Sequence, residues 1–190
     1  HYLYPANFPE ELIGLIRENP AVCRYIDIPV QHISDKMLRL MKRSHTRSET
    51  LNILNRLRTG IPGSALRTTL IAGHPGESEA EFNELKEFVR EFRFERLGVF
   101  AYSHEEGTPS YSNFRDEIPE DVKQQRVAEI MQIQQEISAG LNENLEGRTL
   151  KVLIDRMEGD YFIGRTEFDS PEVDQEVLIP AEFNLKPGDF

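Results

Sequence analysis

The stretch LRTTLIAGHPGESEAE, residues 66–81, contains a strand, a loop and the start of a helix in immediate succession. Residues 66–72 are mostly aliphatic or β-branched, which predicts a buried strand. Turn-forming residues at 73–76 end that strand. Ser78 followed by Glu81 is a capping box, a pattern typical of a helix N-terminus. The stretch therefore predicts one unit of a parallel α/β fold.

The same alternation of apolar strand and amphipathic helix occurs on both sides of this stretch. Alternating strands and helices favour βαβ units and a parallel sheet. Three such units fit this chain, whereas a closed eight-stranded barrel takes about 250 residues, so we expect a small open sheet or part of a larger barrel. Strands are predicted at 25–30, 66–72 and 97–102, and further helices after Ser34, after the Thr46 and Glu49 capping box, and from Pro119 to Gly147.

The two ends of the chain depart from this pattern. Residues 1–4 suit the tail of a strand, and Asn7 with Glu10 predicts the start of a short helix. After about residue 146 the chain contains only β-branched and aromatic runs, which predict a small all-β unit. We therefore predict an α/β unit at 1–146 and an all-β unit at 147–190, with strands at 151–155, 161–166 and 176–180.

Composition and charge bound the class of protein. The 190 residues are 38% hydrophobic, enough for a core. The sequence has neither a run of about 18 apolar residues nor a start typical of a signal peptide, so we expect a cytoplasmic protein. The net charge is −11, from 33 acidic against 22 basic side chains. This surplus disfavours wrapping of nucleic acid and favours a basic protein partner, unless it serves solubility alone.

Cys23 is the single cysteine of the chain. One thiol excludes an internal disulfide, and it excludes a zinc or cluster site built only from the thiolates of this chain. We expect Cys23 to be a buried, small apolar residue just before the first complete strand.

Candidate ligand-binding residues follow the predicted strands, because parallel sheets bind ligands at the carboxyl ends of their strands. Polar segments leave the strands at 31–32, 73–77 and 102–108. Within the second strand, Arg67 and Thr69 share one face by the two-residue period. A buried arginine needs an anion, either a carboxylate-bearing small molecule or an internal acid such as Asp27.

Other polar residues have less specific patterns. His32 and His74 are possible general bases or metal ligands, but a lone histidine at a strand end favours a hydrogen-bonding role in the loop. Glu105 and Glu106 are adjacent, which favours a solvated loop within the polar segment 103–116. The long helix after Pro119 is expected to cover the sheet, with its polar residues away from the apolar stripe; these are Lys123, Gln124, Arg126, Gln132, Gln134 and Gln135.

Four segments, taken in order, resemble the methylthiotransferases of the radical S-adenosylmethionine (SAM) superfamily. These segments are YIDIPVQH at 25–32, MLRLMKR at 37–43, RTTLIAGHPGE at 67–77 and FAYSHEEGTP at 100–109. QHISD at 31–35, EGDY at 158–161 and GRTEFDSPE at 164–172 resemble the branch of that family whose substrate is a ribosomal protein.

The resemblance implies a fold and a chemistry. It implies the carboxyl-terminal half of an open, TIM-like radical SAM barrel, followed by an incomplete TRAM β-domain. SAM is the implied cofactor, together with two 4Fe-4S clusters whose cysteine ligands precede this chain, so the chain alone is expected to be inactive. In such enzymes one SAM is cleaved to a 5′-deoxyadenosyl radical, another supplies the methyl group, and the auxiliary cluster supplies sulfur.

The resemblance also implies a set of SAM contacts. Gln31 is placed at the amino-acid or ribose end of SAM, Arg67 and Thr69 orient its polar groups, and residues 71–73 lie along the adenine. Tyr102 and Ser103 close the adenine side. The implied cofactor-binding set is Gln31, Arg67, Thr69, Ile71, Gly73, Tyr102 and Ser103, with no catalytic or metal-ligating residue in the chain.

The implied reaction adds a methylthio group to the β-carbon of an aspartate in the twelfth protein of the small ribosomal subunit. From Arg148 on, ten acidic residues stand against five basic ones, which favours docking of a basic ribosomal protein over nucleic acid. Two alternatives stay open: a tRNA adenosine methylthiotransferase, and a non-catalytic module that binds a ribosomal protein.

Overall fold

The computed structural model describes residues 3–5 and 8–190, and it contains two separate three-stranded sheets. This order of elements confirms the predicted fold class, an α/β unit followed by a small all-β unit. The α/β unit contains α1 (Glu11–Glu18), β1 (Tyr25–Asp27), α2 (Asp35–Leu40), α3 (Arg47–Gly60), β2 (Ala65–Ala72), α4 (Glu79–Phe92), β3 (Arg96–Ala101), α5 (Pro109–Asn113) and α6 (Glu120–Glu143). The all-β unit, here called the β-domain, contains β4 (Leu153–Glu158), β5 (Tyr161–Arg165) and β6 (Val177–Pro180).

The first sheet is parallel, with the strand order β1-β2-β3. Asp27 pairs with Arg67, and Arg67 pairs with Arg96 on the other side of β2. Gln31 extends the pairing beyond β1 through a bridge to Leu70. Because the three strands run in one direction, their carboxyl ends meet at one edge, here called the carboxyl edge.

Helices cover one face of this sheet. Alternate residues of β2, from Leu66 to Ala72, are buried on that face, as the two-residue period of a strand requires. Arg67, Thr69 and Ile71 point to the opposite face, here called the open face. The core on the covered face joins the sheet to α1, α3, α4 and α6 through residues that include Ile16, Leu54, Leu57, Phe82, Leu85, Phe88, Val89, Ile130, Ile133 and Ile137.

Two helices begin at the predicted capping boxes. Thr46 and Glu49 form one at α3, and Ser78 and Glu81 form one at α4. In each box the hydroxyl accepts a backbone N–H of the first turn, and the glutamate carboxylate accepts the N–H of the capping residue. These local signals fix where the helices enter the layer that covers the sheet.

The β-domain is an antiparallel sheet in which β4 pairs with β5 and β5 pairs with β6. A tight turn at Gly159, with φ of 57°, joins β4 to β5. Residues 166–176, here called the 166–176 loop, join β5 to β6. Among the helices of residues 3–5 and 8–190, none is long and apolar enough to span a bilayer.

Two local predictions are wrong. Cys23 is exposed rather than buried, because its neighbour Val22 is the residue of that turn that packs against the core. The segment 103–116 is not wholly a loop, because it contains α5, where the Thr108 hydroxyl accepts the N–H of Tyr111.

The prediction that the polar residues of α6 lie away from the buried face is also wrong for three of them. Lys123, Arg126 and Gln134 are buried. Lys123 Nζ donates to Asp116 Oδ2 at 2.6 Å, and the Gln134 amide donates to the Phe94 carbonyl at 3.0 Å. These partners, together with two carboxylates that bind Arg126, give the Lys123 ammonium, the Arg126 guanidinium and the Gln134 NH2 group hydrogen bonds in the core.

Predictions at the amino end are partly outside the described residues. Residues 1 and 2 of the predicted strand tail and the predicted helix cap Asn7 lie outside that part of the chain. Leu3 and Tyr4 do not form a strand, although the Leu3 amide donates to the Asp27 carbonyl at 2.7 Å.

Candidate functional site

Backbone hydrogen bonds join the predicted site segments at the carboxyl edge. The Gln31 N–H donates to the Thr69 carbonyl at 2.9 Å, and the Gln31 carbonyl accepts the Ile71 N–H at 2.8 Å. On the other side of β2, the Tyr102 N–H donates to the Ala72 carbonyl at 2.8 Å. Segments that are far apart in sequence are therefore neighbours at this edge.

Gln31 has an unusual backbone conformation for a residue other than glycine. Its φ is 66°, in the left-handed region. The residue is 8% exposed, and its side-chain amide makes no hydrogen bond to a side chain or backbone group of the described residues. Such strain at a strand end, next to an amide free to bind, is typical of a ligand-binding position.

Arg67, Thr69 and Ile71 lie in a row on the open face. Arg67 Nη1 donates to Asp27 Oδ2 at 3.1 Å and to Thr69 Oγ1 at 3.2 Å. The internal ion pair with Asp27, one of the two alternatives considered for Arg67, is thus present. The guanidinium is neutralised within the chain, and it orients the Thr69 hydroxyl.

Phe100 is a residue of the open face that the sequence reasoning did not single out. It pairs in register with Ile71, and 61% of it is exposed. The two side chains form an apolar surface on the half of the open face that adjoins the carboxyl edge. The strand period was the available signal, because Phe100 is two residues before Tyr102 in the strand predicted at 97–102.

Glu77 lies at the centre of a buried network behind the carboxyl edge. Its Oε1 accepts the Gly73 N–H at 3.0 Å and Arg126 Nη1 at 2.8 Å. Its Oε2 lies 3.4 Å from His32 Nε2, and both side chains are fully buried. One carboxylate therefore ties the loop after β1, the loop after β2 and helix α6 together.

The hydrogen bonds that His32 Nδ1 accepts determine the tautomer of its ring. Nδ1 accepts the backbone N–H groups of Ile33 and Ser34, at 2.9 and 3.0 Å. Nδ1 therefore carries no proton, and the proton of the ring is on Nε2, facing Glu77. His32 is thus a hydrogen-bonding loop residue that holds the start of α2.

His74 has a similar role after β2. Its Nδ1 lies 2.9 Å from the Pro75 carbonyl and donates to it, so Nε2 accepts from the Ser110 hydroxyl at 2.9 Å. Burial lowers the pKa of His74, which favours the neutral ring that this pattern needs. His74 thereby fixes α5 against the carboxyl edge.

Tyr102 and Ser103 leave β3 in different environments. Tyr102 is buried, packs edge-to-face on His74, and its hydroxyl is 3.0 Å from His104 Nδ1. Ser103 is exposed and donates to a carboxylate oxygen of Glu105. Tyr102 therefore forms part of a packed wall, and Ser103 lies at its solvent side.

Gly73 is required by packing against α6. Its φ is 81°, and a Cβ atom there would lie 2.4 Å from Lys123 Cγ. The left-handed φ and the close approach of α6 therefore both favour glycine at this position.

His45 and His74, two of the three buried histidines of the described residues, predict a dependence of stability on pH. Burial lowers the pKa of each ring below its ordinary value near 6.5. As pH falls through that value, the unfolded chain binds protons that the folded chain does not bind. The resulting stability is fully present above about pH 6.5 and decreases below it, by at most about 1.4 kcal/mol per pH unit for each ring.

Urea unfolding between pH 7.5 and 5.5 checks this prediction. We expect the free energy of unfolding to decrease less steeply in a His45→Phe/His74→Phe variant than in the parent. Equal slopes for the two proteins would show that other groups carry the dependence.

Two family models match the chain. The radical SAM superfamily matches residues 2–89, and the TRAM domain matches residues 147–190. Bacterial proteins named ribosomal protein uS12 methylthiotransferase RimO match the chain along its full length. The relative from Porphyromonas gingivalis is 56% identical over 192 residues, and that from Christiangramia forsetii is 52% identical over 191 residues. The chain spans only 44% and 42% of the length of these two relatives.

Two solved structures have a similar fold. Coproporphyrinogen III oxidase from Escherichia coli, a radical SAM enzyme, has a TM-score of 0.56 at 18% identity, over 87% of this chain and 45% of that one. The archaeal Elp3 of Methanocaldococcus infernus has a TM-score of 0.55 at 13% identity, over 86% of this chain and 51% of that one. At these identities the likeness concerns the fold alone. Together with the family match over residues 2–89, it favours part of a larger radical SAM barrel over a small open sheet.

Proposed function

We propose that the chain is a radical SAM protein with a TRAM domain at residues 147–190, and that it is part of a methylthiotransferase that modifies ribosomal protein uS12. The observation that carries the proposal is the identity of 52–57% to proteins of that name along the whole chain. The proposed product carries a methylthio group on the β-carbon of an aspartate. We also propose that the α/β unit ends at Glu146 and that the activity is in the cytoplasm, where ribosomal proteins are made.

The open face near the carboxyl edge fits SAM. Ile71 and Phe100 offer an apolar surface of the kind that an adenine ring stacks on. The Gln31 amide and the Thr69 hydroxyl lie beside that surface and suit the polar end of the cofactor. When bound, SAM supplies the radical and the methyl group for the transfer.

We assign roles to the predicted contact residues on this basis. Gln31 binds a polar group of SAM, and Arg67 acts by orienting the Thr69 hydroxyl, since its own charge is already paired with Asp27. Ile71 lies against the adenine. The remaining members of the set shape the edge: Gly73 lets the loop approach α6, Tyr102 forms a wall, and Ser103 faces solvent.

An iron-sulfur cluster does not fit the residues of this chain. Such clusters are held mainly by several cysteine thiolates. The chain has one cysteine, Cys23, which precedes β1 and so lies at the edge of the sheet opposite the carboxyl edge. No group of three or more metal-ligating side chains occurs within the described residues.

The charge of the β-domain supports a basic protein as the partner. Several of its acids are paired within the chain, including Asp155 with Arg165 and Glu176 with Arg156. Four exposed acids have no salt bridge to a described residue; these are Asp160, Glu167, Glu172 and Glu182. This surplus attracts a basic protein and repels the phosphates of RNA.

The test uses the full-length protein, reconstituted with iron, sulfide and a reductant, and supplied with SAM. We expect 5′-deoxyadenosine to form and uS12 to gain the mass of one methylthio group in place of a hydrogen. A Gln31→Ala variant is expected to require more SAM, whereas an Asp160→Asn variant serves as a control that leaves the SAM requirement unchanged.

Two outcomes would overturn the proposal. Modification of tRNA with no change in uS12 would assign the chain to the nucleic-acid-modifying branch. Binding of uS12 without formation of 5′-deoxyadenosine would identify a binding module without chemistry.

A further inference from the structure

The open face of the parallel sheet has two halves with different surroundings. The half near the carboxyl edge carries Thr69, Ile71 and the exposed Phe100. The other half carries Arg67 and Arg96, which pair in register and are both largely buried. Two adjacent arginines on one face repel each other unless anions lie between them.

The 166–176 loop of the β-domain supplies these anions. Asp169 Oδ1 accepts from Arg96 Nε at 2.9 Å. Asp174 Oδ1 lies 3.6 Å from Arg67 Nε, and Asp174 Oδ2 accepts from the Tyr25 hydroxyl at 2.6 Å. The side chains of Asp169 and Asp174 are only 4% and 5% exposed. The contact between the two units is therefore ionic, and its carboxylates are shielded from solvent.

Hydrogen bonds within the 166–176 loop also orient the carboxylates of Asp169 and Asp174. The Thr166 hydroxyl donates to Asp169 Oδ2 at 2.5 Å, and the Ser170 N–H donates to Asp174 Oδ2 at 2.8 Å. Burial raises the pKa of Tyr25, and the hydrogen bond to Asp174 adds to this effect, so the hydroxyl remains a donor.

We propose that the 166–176 loop is the floor of the SAM site, and that Asp174 is a positioning residue for it. Asp174 holds Arg67, and Arg67 in turn holds the Thr69 hydroxyl at 3.2 Å. The loop closes the far half of the open face and leaves the half at the carboxyl edge for the cofactor. The β-domain thus completes the cofactor site of the α/β unit. This inference rests on the proposed function, because it takes SAM as the ligand of the open face.

Docking of the β-domain and binding of SAM are then coupled. A loop that fixes Thr69 raises the affinity for SAM, and bound SAM stabilises the docked loop by the same factor. We expect SAM to slow proteolysis within residues 166–176 of the full-length protein.

The test compares Asp174→Asn with Glu172→Gln in the full-length, reconstituted protein. Glu172 is exposed on the same loop and serves as the matched control. We expect Asp174→Asn to raise the dissociation constant of SAM in equilibrium dialysis about ten-fold, because a buried charge-assisted contact is lost. In turnover, KM for SAM rises and kcat stays near that of the parent. Glu172→Gln leaves the dissociation constant of SAM within about two-fold of the parent.

A second variant keeps the charge of Asp174 and removes one of its donors. Tyr25→Phe is expected to raise the dissociation constant of SAM about three- to ten-fold, as expected for one hydrogen bond. Circular dichroism checks that each variant is folded.

The outcomes separate the inference from the proposed function. If the folded Asp174→Asn variant binds SAM with normal affinity but its 166–176 loop is cleaved faster, the loop only holds the two domains together. That result would contradict the proposal that the loop forms part of the SAM site. A parent protein that binds no SAM would instead overturn the proposed function, and this inference with it.

Discussion

Replacing Glu77 by leucine is expected to lower the free energy of unfolding by about 3–5 kcal/mol, the usual cost of removing one partner from a buried ion pair. The carboxylate of Glu77 is the acceptor for Gly73 N–H and the buried Arg126, and it faces the Nε2 proton of His32. Leucine removes the acceptor of two buried donors, Gly73 N–H and Arg126 Nη1, and the charge that faces His32. Because these groups come from both loops at the carboxyl edge and from α6, the cofactor site is expected to loosen together with the fold.

Glu79→Leu is the matched control for this variant. Glu79 also binds Arg126, at 2.6 Å, but its side chain is 74% exposed. We expect this substitution to cost less than about 1 kcal/mol, because exposed ion pairs contribute little. Urea unfolding of the parent and both variants measures the difference. Losses of similar size in the two variants would show that burial of Glu77 is not what gives the network its stability.

Gly73→Ala is expected to have the second largest effect, a loss of about 2–5 kcal/mol. A left-handed φ costs an alanine about 1–2 kcal/mol, and overpacking adds about 1–3 kcal/mol. The Lys123 side chain cannot move aside freely, because it is buried and its Nζ donates a hydrogen bond to Asp116 at 2.6 Å. The clash therefore involves the fixed stem of the lysine rather than its flexible end.

Gly63→Ala isolates the backbone contribution. Gly63 has a φ of 76°, and a Cβ there meets nothing within 4 Å. We expect a loss of only about 1–2 kcal/mol for this control. Thermal unfolding of both variants compares the two positions. An equal loss at Gly63 and Gly73 would show that contact with Lys123 adds nothing.

Local signals in the sequence predicted the elements of the fold well. The capping boxes at Thr46 and Ser78 are present, and the first three strands run parallel, as predicted. The two-residue period placed Arg67 and Thr69 on one face, and the strand-end rule brought Gln31 and Tyr102 to one edge. These successes depend on interactions within a few residues or on the regular geometry of strands.

The failures involve partners that lie outside the helix or strand whose local pattern gave the prediction. Lys123 and Arg126 are polar, and helical periodicity assigns them to the solvent, but Asp116 and Glu77 satisfy their charges in the core. The contact of Tyr25 with Asp174 spans 149 positions and joins two units, which no local pattern encodes. Sequence patterns therefore did not predict which charged residues are buried, because that depends on contacts formed only in the folded structure.

The central claim is that SAM binds the open face of the sheet at its carboxyl edge, and a crystal structure of the full-length, reconstituted protein with SAM tests it most directly. We expect the adenine to lie against Ile71 and Phe100, with the Gln31 amide within hydrogen-bonding distance of the cofactor. SAM bound elsewhere, with Gln31 and Phe100 still free, would contradict the account.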